Sequence, residues 1–251
     1  MLDEKTLREY IGNRASFVYY DITDSTNTQA KRYADAMADI GTTVFIAREQ
    51  TAGRGRLGRS FLSPSGGIYM SLLFPAQRGK DTTALTATAA VCAARAIRDS
   101  LGIEVDIKWV NDLYLNGKKI AGILTEGAFD EKGNLRYYII GLGINVYKTP
   151  DFDTILPIAT SLEDALGHKI NINDLTKSLA DRLLEVPTCD DCIAEYRQRS
   201  FVIGREVTVI SLTDSYPAEV VEILDDYSLL VRRLSDGEKV RVFTGEVSIR
   251  L

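Results

Sequence analysis

Asp112-Leu-Tyr-Leu-Asn-Gly-Lys-Lys-Ile-Ala-Gly-Ile-Leu-Thr-Glu126 holds a hairpin that sets the fold class. Two runs, Asp112 to Leu115 and Lys118 to Glu126, flank Asn116-Gly117, a dipeptide that readily takes the two positive-φ positions of a tight strand-to-strand turn. Working outward, Glu104 to Trp109 precedes the hairpin as a strand, and Leu135 to Ile144 follows it after Gly133-Asn134. Upstream, Ser16 to Ile22, Thr42 to Arg48 and Ile68 to Phe74 are aromatic and aliphatic strands, the last stopped by Pro75. Helices are predicted over residues 3 to 11, from a cap at Asp24 or Ser25 to about Ala38, and over Thr82 to Leu101 with Gly102 as C-cap. Two or three more fall between Leu162 and Arg199. Strands neighbour strands and helices come in blocks, which predicts an α+β fold with a mixed β-sheet flanked by helices, and disfavours a doubly wound nucleotide fold.

The pattern changes after about residue 200. Glu206 to Ile210, Tyr216 to Leu224, Ser228 to Arg233 and Lys239 to Phe243 are short strands, with Ser235-Asp236-Gly237-Glu238 as a hairpin turn. Some fifty residues of this kind predict a small SH3-like or OB-like β-barrel. The expected division is residues 1–199 and 200–251.

Composition excludes several classes. The 251 residues carry a net charge of −5, which argues against bulk electrostatic binding of DNA or RNA. The start, Met1-Leu2-Asp3-Glu4-Lys5, lacks the apolar core of a signal peptide, and no apolar run is long enough to span a bilayer. A cytoplasmic protein without a membrane partner is expected. The three cysteines, Cys92, Cys189 and Cys192, do not suggest a disulfide framework. Cys189-Asp190-Asp191-Cys192 has the C-x-x-C spacing, but its two acids raise the thiol pKa and no second such pair exists to complete a zinc site. Cys92 reads as a small core residue.

Against that acidic background, Gly53-Arg54-Gly55-Arg56-Leu57-Gly58-Arg59 alternates glycines with arginines. Glycine opens backbone N–H groups to a ligand and arginine brings a cationic fork, so together they form an anion cradle. By itself the stretch also reads as a solvated basic loop. Asp24-Ser25-Thr26-Asn27-Thr28 offers N–H groups and short polar side chains at a strand-to-helix junction, and equally reads as a plain cap. Lys108-Trp109-Val110-Asn111-Asp112 sets the only tryptophan beside a lysine, an amide and a carboxylate. Strand alternation lets only one of Lys118 and Lys119 face a shared site. Gly141-Leu142-Gly143-Ile144-Asn145 ends an apolar strand with room for a ligand or a neighbouring backbone.

In this order, Asp24 to Asn27, Gln50 to Arg59, Lys108 to Asp112, Lys119 to Leu124 and Gly141 to Asn145, with Gly245-Glu246-Val247-Ser248 near the end, the chain resembles the biotin–protein ligase (biotin–[acetyl-CoA-carboxylase] ligase) family. The resemblance implies a class II synthetase-like catalytic fold plus the C-terminal barrel. It also implies ATP-dependent activation of biotin as biotinyl-5′-AMP and transfer to a lysine of a biotin carboxyl carrier protein, an acetyl-CoA carboxylase subunit or another biotin-dependent carboxylase. It implies catalytic roles for Lys119, Arg54 and Asp112. Biotin contacts would come from Ser25, Thr26, Asn27, Gln50, Gly53, Arg54, Gly55, Arg56 and Lys119. Adenylate contacts would come from Arg59, Phe61, Asn111 and Asn145. Mg²⁺ would accompany ATP, with Asp112 either binding it or orienting the acceptor lysine. Lys119 rather than Lys118 is chosen by motif register. The Gly/Arg loop is expected to be mobile until an anion arrives.

The chain departs from the family in carrying Val110 where a proline is usual and Phe61 where a tryptophan is common. It starts almost at the catalytic domain, so a ligase that is neither a repressor nor a DNA-binding protein is expected, with a homodimer left open. Two alternatives remain at this stage. One is a lipoate or octanoate ligase or transferase, whose basic glycine motif differs. The other is a non-catalytic biotin- or nucleotide-sensing module.

Overall fold

The computed structural model describes residues 1–76, 81–149, 159–210, 214–243 and 246–249. Its larger part is a seven-stranded mixed sheet in the order β1-β2-β3-β7-β6-β5-β4. The strands are β1 (Ser16–Thr23), β2 (Thr43–Gln50), β3 (Gly67–Pro75), β4 (Asp106–Lys108), β5 (Asp112–Leu115), β6 (Lys118–Phe129) and β7 (Leu135–Asn145). Only β1 and β2 pair in parallel; every other neighbour is antiparallel. The hairpin predicted at Asn116-Gly117 joins β5 to β6, and both turn residues have positive φ, 52° and 74°. Pro75 is the last residue of β3 and does not end it one residue early. The Glu104–Trp109 prediction contracts to the three residues of β4.

Helices α1 (Glu4–Ile11), α2 (Thr26–Ala36), α3 (Thr82–Leu101), α4 (Leu162–Leu166), α5 (Ile172–Leu184) and α6 (Ile193–Arg199) sit close to their predicted places. Asp3 caps α1 by accepting from the Thr6 N–H, and Asp81 caps α3 by accepting from the Ala84 N–H. Gly102 ends α3 in the left-handed conformation, φ 69°. Twelve residues of α3 are buried, six of them alanines. That small-residue helix lies between the sheet and α5, where overpacking one alanine by a larger side chain would cost about 1–3 kcal/mol.

Sheet alternation divides the interior. One face presents Val44, Ile46, Met70, Leu72, Ile140 and Leu142 to the large core that α3 and α5 share. The opposite face presents Phe45, Leu73, Tyr137 and Ile139, which α2 covers with Ala30 and Ala34. Helix α2 is short, so the far half of that second face stays open.

After Arg199 the chain forms a second, antiparallel sheet ordered β11-β10-β9-β8-β12, with β8 (Glu206–Ile210), β9 (Ser215–Ile223), β10 (Leu229–Arg233), β11 (Lys239–Val242) and β12 (Glu246–Ile249). This matches the predicted barrel. Gly245 of the terminal motif lies outside the described residues. Val209, Val220, Leu229 and Val247 belong to the same continuous core as the mixed sheet. Directed ties add to this: buried Trp109 donates its indole N–H to the Tyr227 carbonyl at 2.7 Å, and Arg197 of α6 donates to the Ile223 carbonyl at 2.7 Å and to Asp225 at 2.8 Å. The tryptophan of the Lys108–Asp112 motif is therefore a core residue that fastens the barrel to the sheet.

The cysteines require a correction. Cys189 and Cys192 are joined as a disulfide, where the sequence suggested no disulfide. A tight turn over Val186–Thr188 and the start of α6 at Ile193 fold the chain back so that the two sulfurs meet. Cys92, from α3, brings its sulfur within 4.8 Å of both. It is buried as expected, and burial pushes its thiol up to about 11. So short a loop removes little entropy from the unfolded chain.

Replacing Trp109 with Phe strips the Tyr227 carbonyl of its donor and leaves a void. Destabilisation of about 2–4 kcal/mol is expected in urea unfolding; a change under about 0.5 kcal/mol would remove Trp109 from this role.

Candidate active site

The open half of the second sheet face becomes a cleft because side chains are missing from it. On β7 the inward series runs Tyr137, Ile139, Gly141, Gly143, and on β6 Gly122 pairs with Gly143. A Cβ at Gly141 would collide with the Asn27 amide, and one at Gly143 with the Phe61 ring. The glycines thus admit two side chains from other elements against bare backbone. The cleft holds about 130 Å³ of cavity volume and opens to solvent at its mouth.

One end of the cleft is a closed polar network. Ser71 on β3 is fully buried and bridges Thr26 Oγ1 (2.7 Å) and Asn27 Oδ1 (2.6 Å). Gln50 Oε1 accepts from the Thr26 N–H (2.8 Å) and hydroxyl (3.1 Å), and its amide donates to Ser63 Oγ at 2.8 Å. Asn27 donates to the Leu124 carbonyl at 3.3 Å and to Glu126 Oε2 at 2.8 Å. Ser25 is the N-cap of α2, without a side-chain cap bond, and Asp24 accepts from the Ser25 N–H at 2.7 Å without joining the pocket lining. Burial pushes its carboxyl up, but hydrogen bonds from the Ser25 N–H, Gln29 and Thr23, together with the Arg32 charge, leave it below the ordinary value.

The Gly/Arg stretch is an antiparallel finger. Gln50 N–H bonds to the Ser63 carbonyl, Phe61 N–H to Gly53, and Gly55 N–H to Arg59, with a single 3-10 turn at Arg56–Gly58 as its tip. Gly53 is buried against Phe61 and Ser63 and leaves no room for a Cβ. The expectation that the arginines wait for an external anion is corrected for Arg54. Its Nη2 lies 3.0 and 2.8 Å from the two oxygens of Glu126. Arg56 Nη1 reaches Asn111 Oδ1 at 3.4 Å.

Asn111 and Asp112 form the opposite wall. Asn111 is pinned to β6 through its amide to the Ile123 carbonyl (2.9 Å) and through the Ile123 N–H to its own carbonyl (2.9 Å). The buried Tyr196 hydroxyl donates to the Val110 carbonyl at 3.2 Å, and the Trp109–Val110 peptide is cis. Lys119 Nζ lies 2.7 Å from Asp112 Oδ1. This is an ion pair by distance, approached off-axis, so that Oδ1 receives no directed hydrogen bond. A bulge places this lysine. Counting by twos back from Gly122 would send Lys118 into the cleft. Between Leu113–Ala121 and Tyr114–Lys119, however, β6 carries one extra residue, Ile120, which reverses the alternation. Lys119 therefore lines the cleft and Lys118 is exposed.

Of the residues selected from sequence, Ser25, Thr26, Asn27, Gln50, Arg54, Gly55, Arg56, Arg59, Phe61, Asn111, Asp112 and Lys119 line this one cleft. Gly53 and Asn145 are not in its lining. Buried Asn145 donates to the Thr160 carbonyl at 3.3 Å, and the Thr160 N–H bonds to the Lys119 carbonyl, so Asn145 braces the segment behind Lys119. Sequence reasoning missed Ser71 and Glu126, each a polar residue inside an otherwise apolar strand run, and it named Val247 in the terminal motif without a site role, whereas Val247 brings the second sheet to the cleft edge.

A fold with a half-covered mixed sheet, a basic glycine finger and a lysine–aspartate wall defines a small-molecule site built to hold an anion. Residues 19–145 match the family model described as the Biotin/lipoate A/B protein ligase family. The chain is 45% identical over 245 residues to the bifunctional ligase/repressor BirA of Bacillus subtilis, covering 92% of this chain and 73% of that protein. It is 30% identical over 263 residues to the biotin–[acetyl-CoA-carboxylase] ligase of Mycobacterium tuberculosis, covering 98% and 95%. Its fold is similar to that of a biotin protein ligase from Aquifex aeolicus in complex with biotin and ATP, with a TM-score of 0.79 at 24% identity, covering 94% and 98%. The chain belongs to the biotin protein ligases of this family.

Two substitutions compare the floor positions. Gly141→Ala strikes an amide fixed by three hydrogen bonds and is expected to destabilise the protein by about 1–3 kcal/mol. Gly143→Ala strikes Phe61, a ring on the finger that can swing aside, and should cost less. Equal shifts in thermal midpoint would show that Asn27 and Phe61 are equally free to move.

Proposed function

We propose that this chain activates biotin with ATP and transfers it to a lysine of a biotin carboxyl carrier protein. Two cations, Lys119 and Arg54, line the same closed-ended cleft, and this observation carries the reading. The first step brings two anions together. A biotin carboxylate oxygen bonds to the α-phosphorus of ATP as the bond to the pyrophosphate oxygen breaks. Fixed donors that meet the developing charge contribute about 10²–10³ in rate each in comparable sites. In the second step the carrier lysine amine attacks the acyl carbon, AMP departs with the bonding pair, and the nitrogen loses a proton.

The polar end formed by Ser25, Thr26, Asn27 and Gln50 suits the neutral ureido head of biotin, with Gly53, Gly55 and Arg56 in the adjoining finger. Leu124, paired with Gly141 on the cleft face, offers apolar wall to its tail. Asn27 and Thr26 already spend donors on protein partners, so their share falls mainly to positioning. Arg59, Phe61 and Asn111 suit the adenylate, Phe61 by stacking over bare Gly122 and Gly143; Asn145 acts from behind the wall. Asp112 is the one carboxylate of the described cleft lining. Mg²⁺ commonly takes one or two protein carboxylates plus phosphate oxygens, so Asp112 fits as its holder and the ion would supply charge neutralisation on the pyrophosphate. The same carboxylate, beside Lys119, is equally suited to orient the acceptor amine. The reading includes a cytoplasmic location, residues 1–199 as the catalytic unit and residues 200–251 as the appended barrel. It covers ligation alone and assigns no repressor activity. No helix among the described residues is long and apolar enough to cross a membrane.

Incubation with ATP, Mg²⁺, biotin and a carrier domain should add one biotin mass to the carrier; lipoate in place of biotin should add none. Loss of transfer alongside intact biotin binding would instead indicate a sensing module. Lys119→Ala should lower adenylation by about 10²-fold or more while biotin affinity changes much less; equal losses would make Lys119 a binding residue only. Arg54→Ala should release biotinyl-AMP into solution faster, read by chromatography of the filtrate. Unchanged release would remove the finger from any retaining role.

A further inference from the structure

Glu126 sits on β6 opposite Ile139, one step beyond the bare glycine floor, and it is not in the cleft lining. Its carboxylate nevertheless touches two residues that are. Both oxygens accept from Arg54 Nη2, at 3.0 and 2.8 Å, and Oε2 also accepts from Asn27 Nδ2 at 2.8 Å. Asn27 is itself rigid, held by Ser71 from below and by the Leu124 carbonyl from the side. Glu126 therefore bridges a fixed point on the sheet to a long side chain on the finger. Among the described residues Arg54 makes its hydrogen bonds through Nη2 alone, which keeps the Nε and Nη1 groups of the fork for a ligand.

The pair is half-exposed, with 45% and 34% of the two side chains accessible. Pairs this open add little to folding stability, so stability gives a poor account of a carboxylate placed here. It also sets a negative charge near a site built for anions, at a cost that needs a compensating gain. Orientation supplies one. The finger's backbone bonds fix its main chain but not the torsions of Arg54, and a ligand meeting an unrestrained arginine must order that side chain on binding.

We propose that Glu126 is a positioning residue. It holds the Arg54 guanidinium by one amino group, so that an N–H left on Nη1 or Nε meets the biotin carboxylate, and then the adenylate phosphate, already aligned. This rests on the biotin reading above. Glu126 acts through Arg54 and does not touch the reacting atoms.

The test is a double-mutant cycle on biotin binding, measured by calorimetry on the full chain, with Glu126→Gln, Arg54→Ala and both together. Glu126→Gln keeps shape and loses charge. Roughly tenfold weaker biotin binding is expected, with an unchanged melting temperature. In the Arg54→Ala background the same substitution should change affinity less than twofold, because coupled residues are not additive. Three outcomes overturn the proposal: wild-type affinity in Glu126→Gln, tighter binding (which would make Glu126 a competitor of the ligand), or an equal loss in both backgrounds. A wild type that binds biotin but never biotinylates a carrier removes the transfer reading and leaves the cycle readable. A wild type that does not bind biotin removes the reading on which the proposal stands.

Discussion

The absence of side chains at Gly122, Gly141 and Gly143 is the constraint on which the site depends. A mixed sheet covered on both faces would bury everything and bind nothing. Here α2 covers only the half of one face that carries Phe45, Leu73, Tyr137 and Ile139. Where β7 changes from Tyr and Ile to Gly, the backbone itself becomes the floor, and Asn27 and Phe61 come down onto it from separate elements. The cleft is thus a continuation of the core with volume withheld, bounded by elements that the core holds rigid.

Electrostatics are arranged on that floor in self-neutralising pairs. Lys119 stands by Asp112, and Arg54 by Glu126. Each of these cations already has a carboxylate next to it, so the ligand-free protein does not confront uncompensated charge in a partly desolvated cleft. A bound anion then has to share or exchange partners. Such an arrangement favours sites that distinguish a correctly placed carboxylate from one that is merely nearby.

The second sheet belongs to this construction. Trp109 and Tyr196 hold the backbone on either side of Val110 from below, and Trp109 does so through a carbonyl of the β9–β10 turn. The wall that presents Asn111 and Asp112 is therefore set partly by the barrel, and Val247 reaches the cleft edge directly. Rigid positioning of this wall is needed if two charged groups are to act on one reacting centre.

Period-two alternation, the Asn116-Gly117 turn and the caps at Asp3, Asp81 and Gly102 are local, so the sequence alone determined nearly every element and the α+β class. It also picked out twelve residues that share the cleft, because glycine-rich and charged stretches at strand ends interrupt the apolar pattern visibly. Tertiary structure decided what local rules cannot express. One inserted residue, Ile120, overrode simple alternation and turned Lys119 inward. Glu126 found Arg54 across 72 positions, Cys92 on α3 came to lie beside the Cys189–Cys192 pair, and Asn145 turned to brace Thr160 without reaching the cleft. Each of these depends on which distant surfaces pack together. Packing is a property of the whole chain, whereas a turn or a cap is fixed by the few residues that make it.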